Sequence, residues 1–171
     1  MNIYLKIFLG LAALLILSQF IRPERNESDD RTYDISTKYT VPDDVNHVLQ
    51  VACNDCHSNK TTYPWYANLQ PAAWWLSDHV SEGKSELNFS EFTKRPLAVQ
   101  NHKFEEIVEM VEEKEMPLKE YTYLGMHPEA NLTNDQRELI ISWARGQMAI
   151  LKATYPADSL IRKPRNPAPN S

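Results

Sequence analysis

The chain has 171 residues, 42% of them hydrophobic, and a formal net charge of -5. That charge argues against nucleic acid as a partner, and with four glycines no phosphate-cradling loop can be found. The length holds one compact domain, and the two cysteines both lie in one short motif, so no other thiol competes with it.

Residues 3–21 are almost wholly apolar, interrupted only by Lys6, Ser18 and Gln19. Lys6 and the terminal amine form a short positive region ahead of the apolar run, the pattern of an export signal. The stretch approaches the ~20 residues that cross a hydrocarbon layer. Its exit, Leu17-Ser18-Gln19-Phe20-Ile21-Arg22-Pro23, has no small-x-small cleavage site. Residues 1–22 are therefore expected to be an uncleaved signal anchor, a single transmembrane helix with the remainder of the chain outside the cytoplasm. Arg22 and Arg25 on the distal side run against the positive-inside rule, although Glu24, Glu27, Asp29 and Asp30 lie among them. Residues 23–40 are poor in apolar side chains and read as a polar linker.

The domain itself is expected over 41–152. Pro42-Asp43-Asp44 opens a helix with acidic residues at the positive end of its dipole, and Val45, Val48, Leu49 and Ala52 form its apolar stripe. That stripe runs into Cys53-Asn54-Asp55-Cys56-His57, a C-x-x-C-H sequence. This spacing suits covalent haem: two thiols reach the two vinyl groups of a porphyrin, and the following imidazole binds the iron. Other readings of C-x-x-C are weaker here. A thiol–disulfide redox site needs a low-pKa thiol beside a βαβ pattern, and no strand-rich stretch is present. Structural zinc needs four ligands, so it would have to recruit scattered histidines, and a plain disulfide would close a very tight loop. Attachment of c-type haem takes place outside the bacterial cytoplasm, in agreement with the export signal.

Tyr63-Pro64-Trp65-Tyr66 is an aromatic turn that could wall a porphyrin or serve as ordinary core. A second helix is expected from Pro71 to near Gly83, with Ala72, Trp75, Leu76, His79 and Val80 on one face. A third runs from about Gln100 to Glu113, with Phe104, Ile107, Val108 and Val111 inward. Glu105, Glu106, Glu109, Glu112 and Glu113 lie on its other side, a solvated face or a weak docking patch for a basic redox partner. Thr133-Asn134-Asp135-Gln136 is a capping box, opening a last helix with Leu139, Ile140, Trp143 and Ala144 inward. The end, 153–171, is Pro-rich and reads as a disordered tail.

A haem iron held by His57 has a sixth position, and Met116 is the candidate for it. Pro117 pushes Met116 out of the α region, so its thioether is presented from a loop. A gap-filling core methionine is the ordinary alternative. Met126, in the same loop, His79, on an apolar face, and His127, before Pro128, are the rivals. Met110 and Met148 look like helix packing, and His47 and His102 project from polar sides.

Several blocks together resemble the haem-binding domain family of small bacterial proteins: Cys53 to Asn59, Thr62 to Tyr66, Leu87-Asn88-Phe89-Ser90-Glu91-Phe92, Glu115-Met116-Pro117-Leu118, and His127 to Thr133. The resemblance implies one N-terminal membrane segment and one haem attached at Cys53 and Cys56. The wider order, motif early, Met-Pro late and a capped terminal helix, is similar to class I cytochromes c. That likeness implies an all-α fold, Met116 as distal ligand, and packing of the Asp43 helix on the Thr133 helix. The expected function is one-electron transfer by a membrane-tethered monohaem cytochrome serving redox partner proteins, with no enzymatic activity. A haem-based sensor or gas-binding module, a peroxidase-like enzyme and a thiol–disulfide redox protein are the alternatives.

Overall fold

A computed structural model describes residues 1–123 and 126–162. Among these residues all regular structure is helical, as expected. The helices are α1 (Ile3–Ser18), α2 (Asp43–Ala52), α3 (Asn54–His57), α4 (Ala72–Glu86), α5 (Leu97–Glu112), α6 (Lys119–Thr122), α7 (Asn134–Thr154) and α8 (Ala157–Leu160). Short 3₁₀ turns at Ile35–Thr37, Trp65–Asn68, Phe89–Lys94 and Pro128–Ala130 join them.

The apolar stripes bury as their spacing requires. Val45, Val48 and Leu49 of α2, Phe104, Ile107 and Val111 of α5, and Ile140, Ile141 and Ala144 of α7 share one core. Around Phe104 the rings of Tyr39, Phe92 and Trp143 stand 5.0, 5.0 and 5.6 Å away, edge-on or tilted, the arrangement that ring quadrupoles favour. A smaller core gathers Leu76 and Val80 of α4 with Ala67, Tyr121 and Ala130. Cys53 packs on the first core, Cys56 on the second and Ala52 on both. The C-x-x-C-H motif therefore lies at the seam between two cores. Helix α7 runs along α5 and also meets α2, as the likeness to class I cytochromes c implies.

Three expectations change. First, α1 is a helix of 16 residues, and no helix among the described residues is long and apolar enough to cross a membrane. At 1.5 Å per residue it spans ~24 Å, against ~30 Å of hydrocarbon. Polar side chains end it: the Ser18 hydroxyl and the Gln19 amide both donate to the Leu15 carbonyl, at 2.7 and 2.9 Å.

Second, residues 23–40 do not hang free. Asn26 donates its backbone N–H to the Tyr63 hydroxyl (2.7 Å) and its amide to the Ser58 carbonyl (2.8 Å) and the Thr61 hydroxyl (2.9 Å). Further along, Ile35 and Tyr39 enter the main core. The segment straps down the loop that follows His57.

Third, 153–162 is folded rather than a disordered tail: α7 continues to Thr154, and Leu160 of α8 is buried in the main core. The rest of the expected tail, 163–171, lies outside the described residues.

Candidate functional site

Helix α2 stops at Cys53, whose φ/ψ of -125°/-43° breaks the helical run. The motif starts a new turn, with the Cys56 and His57 N–H groups donating to the Cys53 carbonyl at 3.2 and 2.9 Å. This turn is pressed against α4, where Gly83 makes the approach possible: a Cβ there would meet the Cys56 carbonyl oxygen at 2.7 Å. The His57 Nδ1–H donates to the carbonyls of Gly83 (2.9 Å) and Leu87 (3.0 Å). Nδ1 is thereby spent, and Nε2 keeps its lone pair. Burial pulls the His57 pKa below its ordinary value, outweighing the two carbonyls that favour the charged form. The ring is thus a neutral, oriented ligand of the kind a metal requires.

An apolar cavity of about 210 Å³ is walled by Cys53, Cys56 and His57 on one side and by Met116, Pro117 and Leu118 on another. Trp75, Leu76, Tyr121 and Ile140 line it too. A neighbouring lobe of about 370 Å³ shares Cys53, His57 and Met116 among its walls and adds Phe89, Lys103 and Met110. Together the two lobes fall in the size range of cofactor sites. The Lys103 ammonium in the second lobe is flanked by the carboxylates of Glu106 and Glu86.

Met116 is fixed through its backbone. The left-handed Lys114 (φ 61°) turns the chain out of α5, the Met116 N–H donates to the Met110 carbonyl (3.1 Å), and Arg137 of α7 donates from Nη1 to the carbonyls of Met116 (2.9 Å) and Val111 (3.2 Å). The thioether therefore reaches the cavity from a braced loop.

The rivals divide. Both nitrogens of His127 are engaged: Nδ1–H faces the Glu129 carboxylate at 3.3 Å, and Nε2 accepts from the Tyr66 hydroxyl at 2.7 Å. Its ring stacks on Tyr121 at 4.0 Å. Met126 faces a separate groove with Tyr123 and Trp75. His79 does line the cavity, with Nδ1–H donating to the Trp75 carbonyl at 2.8 Å and Nε2 left open.

The aromatic turn does not wall the cavity. Tyr63 and Tyr66 spend their hydroxyls on Asn26 and His127, and Trp65 is 76% exposed. Trp75 and Tyr121 take that role, brought in by α4 and α6.

Sequence reasoning passed over Asp55. Its side chain accepts from the Thr62 N–H and the Tyr121 hydroxyl, each at 2.8 Å, lashing the motif to the following loop and to α6. Burial first, and the Asp55 charge second, push the Tyr121 pKa up, so the phenol stays a donor. Gly83 reads in the sequence as the stop of the second helix, but α4 runs on to Glu86, and the glycine serves the close backbone approach instead. Arg137 had no local signal.

The thiols lack the character of a thiol–disulfide redox pair. Burial raises Cys53 to about 12 and Cys56 to about 11, with neighbouring negative charge adding to each, whereas a redox thiol needs a depressed pKa and access. No group of three or more metal-ligating side chains is found among the described residues.

A family model described as a haem-binding domain matches residues 13–146. The match takes in the 23–40 strap as well as the cavity. No curated protein and no solved structure matches the chain.

Proposed function

The chain belongs to the haem-binding domain family, and from that membership we propose that it is a monohaem c-type cytochrome, attached to the membrane through α1 and passing single electrons outside the cytoplasm. One observation carries the reading: Cys53, Cys56, His57 and Met116 all line the same apolar cavity. Two thiols three residues apart suit the porphyrin vinyl groups, and a neutral imidazole and a thioether suit the iron.

Bound haem supplies a one-electron iron couple. The protein's own residues do the rest. Cys53 and Cys56, at the seam between the two cores, would tie the ring there through thioether bonds to its vinyl groups. His57, aimed by the Gly83 and Leu87 carbonyls, would hold the iron through Nε2, and Met116, braced by Arg137, would offer its thioether as a second ligand. A methionine partner raises the potential relative to a second histidine, and the apolar walls exclude water. The sequence order that resembles class I cytochromes c, motif early, Met-Pro late and a capped last helix, supports this reading. We assign the protein no enzymatic activity: its chemistry is electron exchange with redox partner proteins.

Membrane attachment is supported by α1, which past Lys6 is apolar on every side up to Ser18 and has no buried residue; such a helix needs lipid or protein around it.

The test is expression of the full chain with a c-type maturation system, followed by a haem stain after denaturing electrophoresis. Colour must stay on the polypeptide and vanish in Cys53→Ser with Cys56→Ser. Pigment that leaves with acidified organic solvent overturns covalent attachment.

A further inference from the structure

The joint between α1 and the domain is built, not slack. Gln19 Oε1 accepts from the Gln70 N–H at 2.9 Å, and the Ile21 carbonyl accepts from the Gln70 amide (2.8 Å) and the Trp74 indole (3.0 Å). Arg22 donates to the Asn68 carbonyl and Arg25 to the Asn68 side chain, both at 2.7 Å. Beyond the joint, 23–40 is strapped to the domain. No residue of α1 is buried, so the helix stands away from the domain and meets it only at this corner.

The same corner exposes large apolar side chains on both partners of the joint: Phe20 (80%) and Ile21 (64%) after α1, Trp65 (76%) and Leu69 (50%) beside Asn68 and Gln70. From this we propose that the Trp65–Leu69 corner rests in the headgroup layer of a phospholipid bilayer, in a fixed orientation set by the α1 joint. The proposal rests on the reading of α1 as the membrane attachment. Three facts select lipid as the occupant. The apolar patch is continuous with a helix whose one charged residue, Lys6, lies near its far end. That helix is shorter than the hydrocarbon layer, so embedding it in lipid draws its flanking residues into the interface. Tryptophan is the side chain favoured at that depth, and Arg22 and Arg25, held at the same level, match lipid phosphates. The haem cavity then sits at a fixed height above the lipid, instead of swinging on a tether.

The experiment uses the full-length, haem-loaded protein in phosphatidylcholine–phosphatidylglycerol vesicles containing a phospholipid with a diazirine at the glycerol level. After illumination, labelled peptides are mapped by mass spectrometry. Label on α1 and, severalfold above the α5 and α7 peptides, on residues 63–75 is the expected result. Label on α1 alone overturns the docked corner while leaving membrane attachment intact; a corner covered by a second copy of the chain gives that result too. Label on neither, with no flotation of protein with vesicles, overturns the attachment itself and the corner with it. Trp65→Ser combined with Leu69→Ser should still float, because α1 is untouched, and should lose label on 63–75 severalfold. Undiminished label there overturns the assignment to these side chains.

Discussion

Gly83 and Cys56 touch through backbone: a Cβ built on Gly83 falls 2.7 Å from the Cys56 carbonyl oxygen and 3.1 Å from the Cys56 Cβ. The glycine lies inside α4, where its lack of a side chain would ordinarily weaken the helix. Its place is explained by what it admits, the C-x-x-C-H turn, and by its carbonyl, which receives the His57 Nδ1–H.

That relationship predicts opposite signs for one substitution at two helical glycines. Gly83→Ala forces α3 away from α4 and should destabilise the fold by ~1–3 kcal/mol, with reduced haem incorporation. Gly146→Ala, in α7 with nothing within 4 Å of the added Cβ, should stabilise by up to ~1 kcal/mol. Denaturant midpoints of the two variants decide it, and equal effects would sink the close-approach account.

Met116→Ala should remove the methionine–iron absorption of the oxidised protein. It should also lower the midpoint potential by a sizeable part of the ~0.8 V range that axial ligands span. His79→Ala should leave both unchanged. If the two variants exchange these results in optical spectra and redox titration, the second axial ligand is His79.

Arg137 holds Met116 by its carbonyl, so its loss should show first at the iron. Arg137→Ala should cost ~1.5–3 kcal/mol, the usual worth of a hydrogen bond from a charged donor. The methionine–iron signal should disappear at lower denaturant than the helical circular dichroism does. Coincident loss of the two signals would make Arg137 a purely global contributor.

Asp34 sets an acid limit. Burial alone would raise its carboxyl, but the Ser36 hydroxyl and N–H and the Arg31 guanidinium outweigh it and hold the value below the ordinary 3.8. A carboxyl depressed in the folded state stabilises fully above its unfolded value, and that contribution is lost as pH falls through the folded one. Stability should therefore decline below about pH 4. Asp34→Asn should flatten this decline and cost ~1 kcal/mol at neutral pH, as read from unfolding midpoints across pH.

Much of this protein is local and therefore legible from its residues in order. Apolar spacing marks α2, α4, α5 and α7; the Thr133–Gln136 capping box marks the start of α7; and the C-x-x-C-H motif marks the two thiols and the imidazole that line the cavity. Met116 was legible because Pro117 takes it out of the helix. Each signal depends on neighbours within a few positions, where side-chain period and backbone sterics act.

Tertiary structure alone decided the rest, because the deciding partners are far apart in sequence. The 23–40 segment reads as a tether until Asn26 meets Tyr63 and Ser58 and Tyr39 meets Phe104. The Tyr63–Tyr66 aromatics read equally as porphyrin wall or core until Tyr63 and Tyr66 pack on the smaller core and their hydroxyls meet Asn26 and His127, leaving Trp75 and Tyr121 to line the cavity. The apolar run to Ile21 reads as one span until Ser18 and Gln19 turn back on Leu15 and the Ile21 carbonyl is captured by Trp74. Polar pairing of this kind is satisfied wherever the fold brings donor and acceptor together, and hydrophobic period carries no record of it.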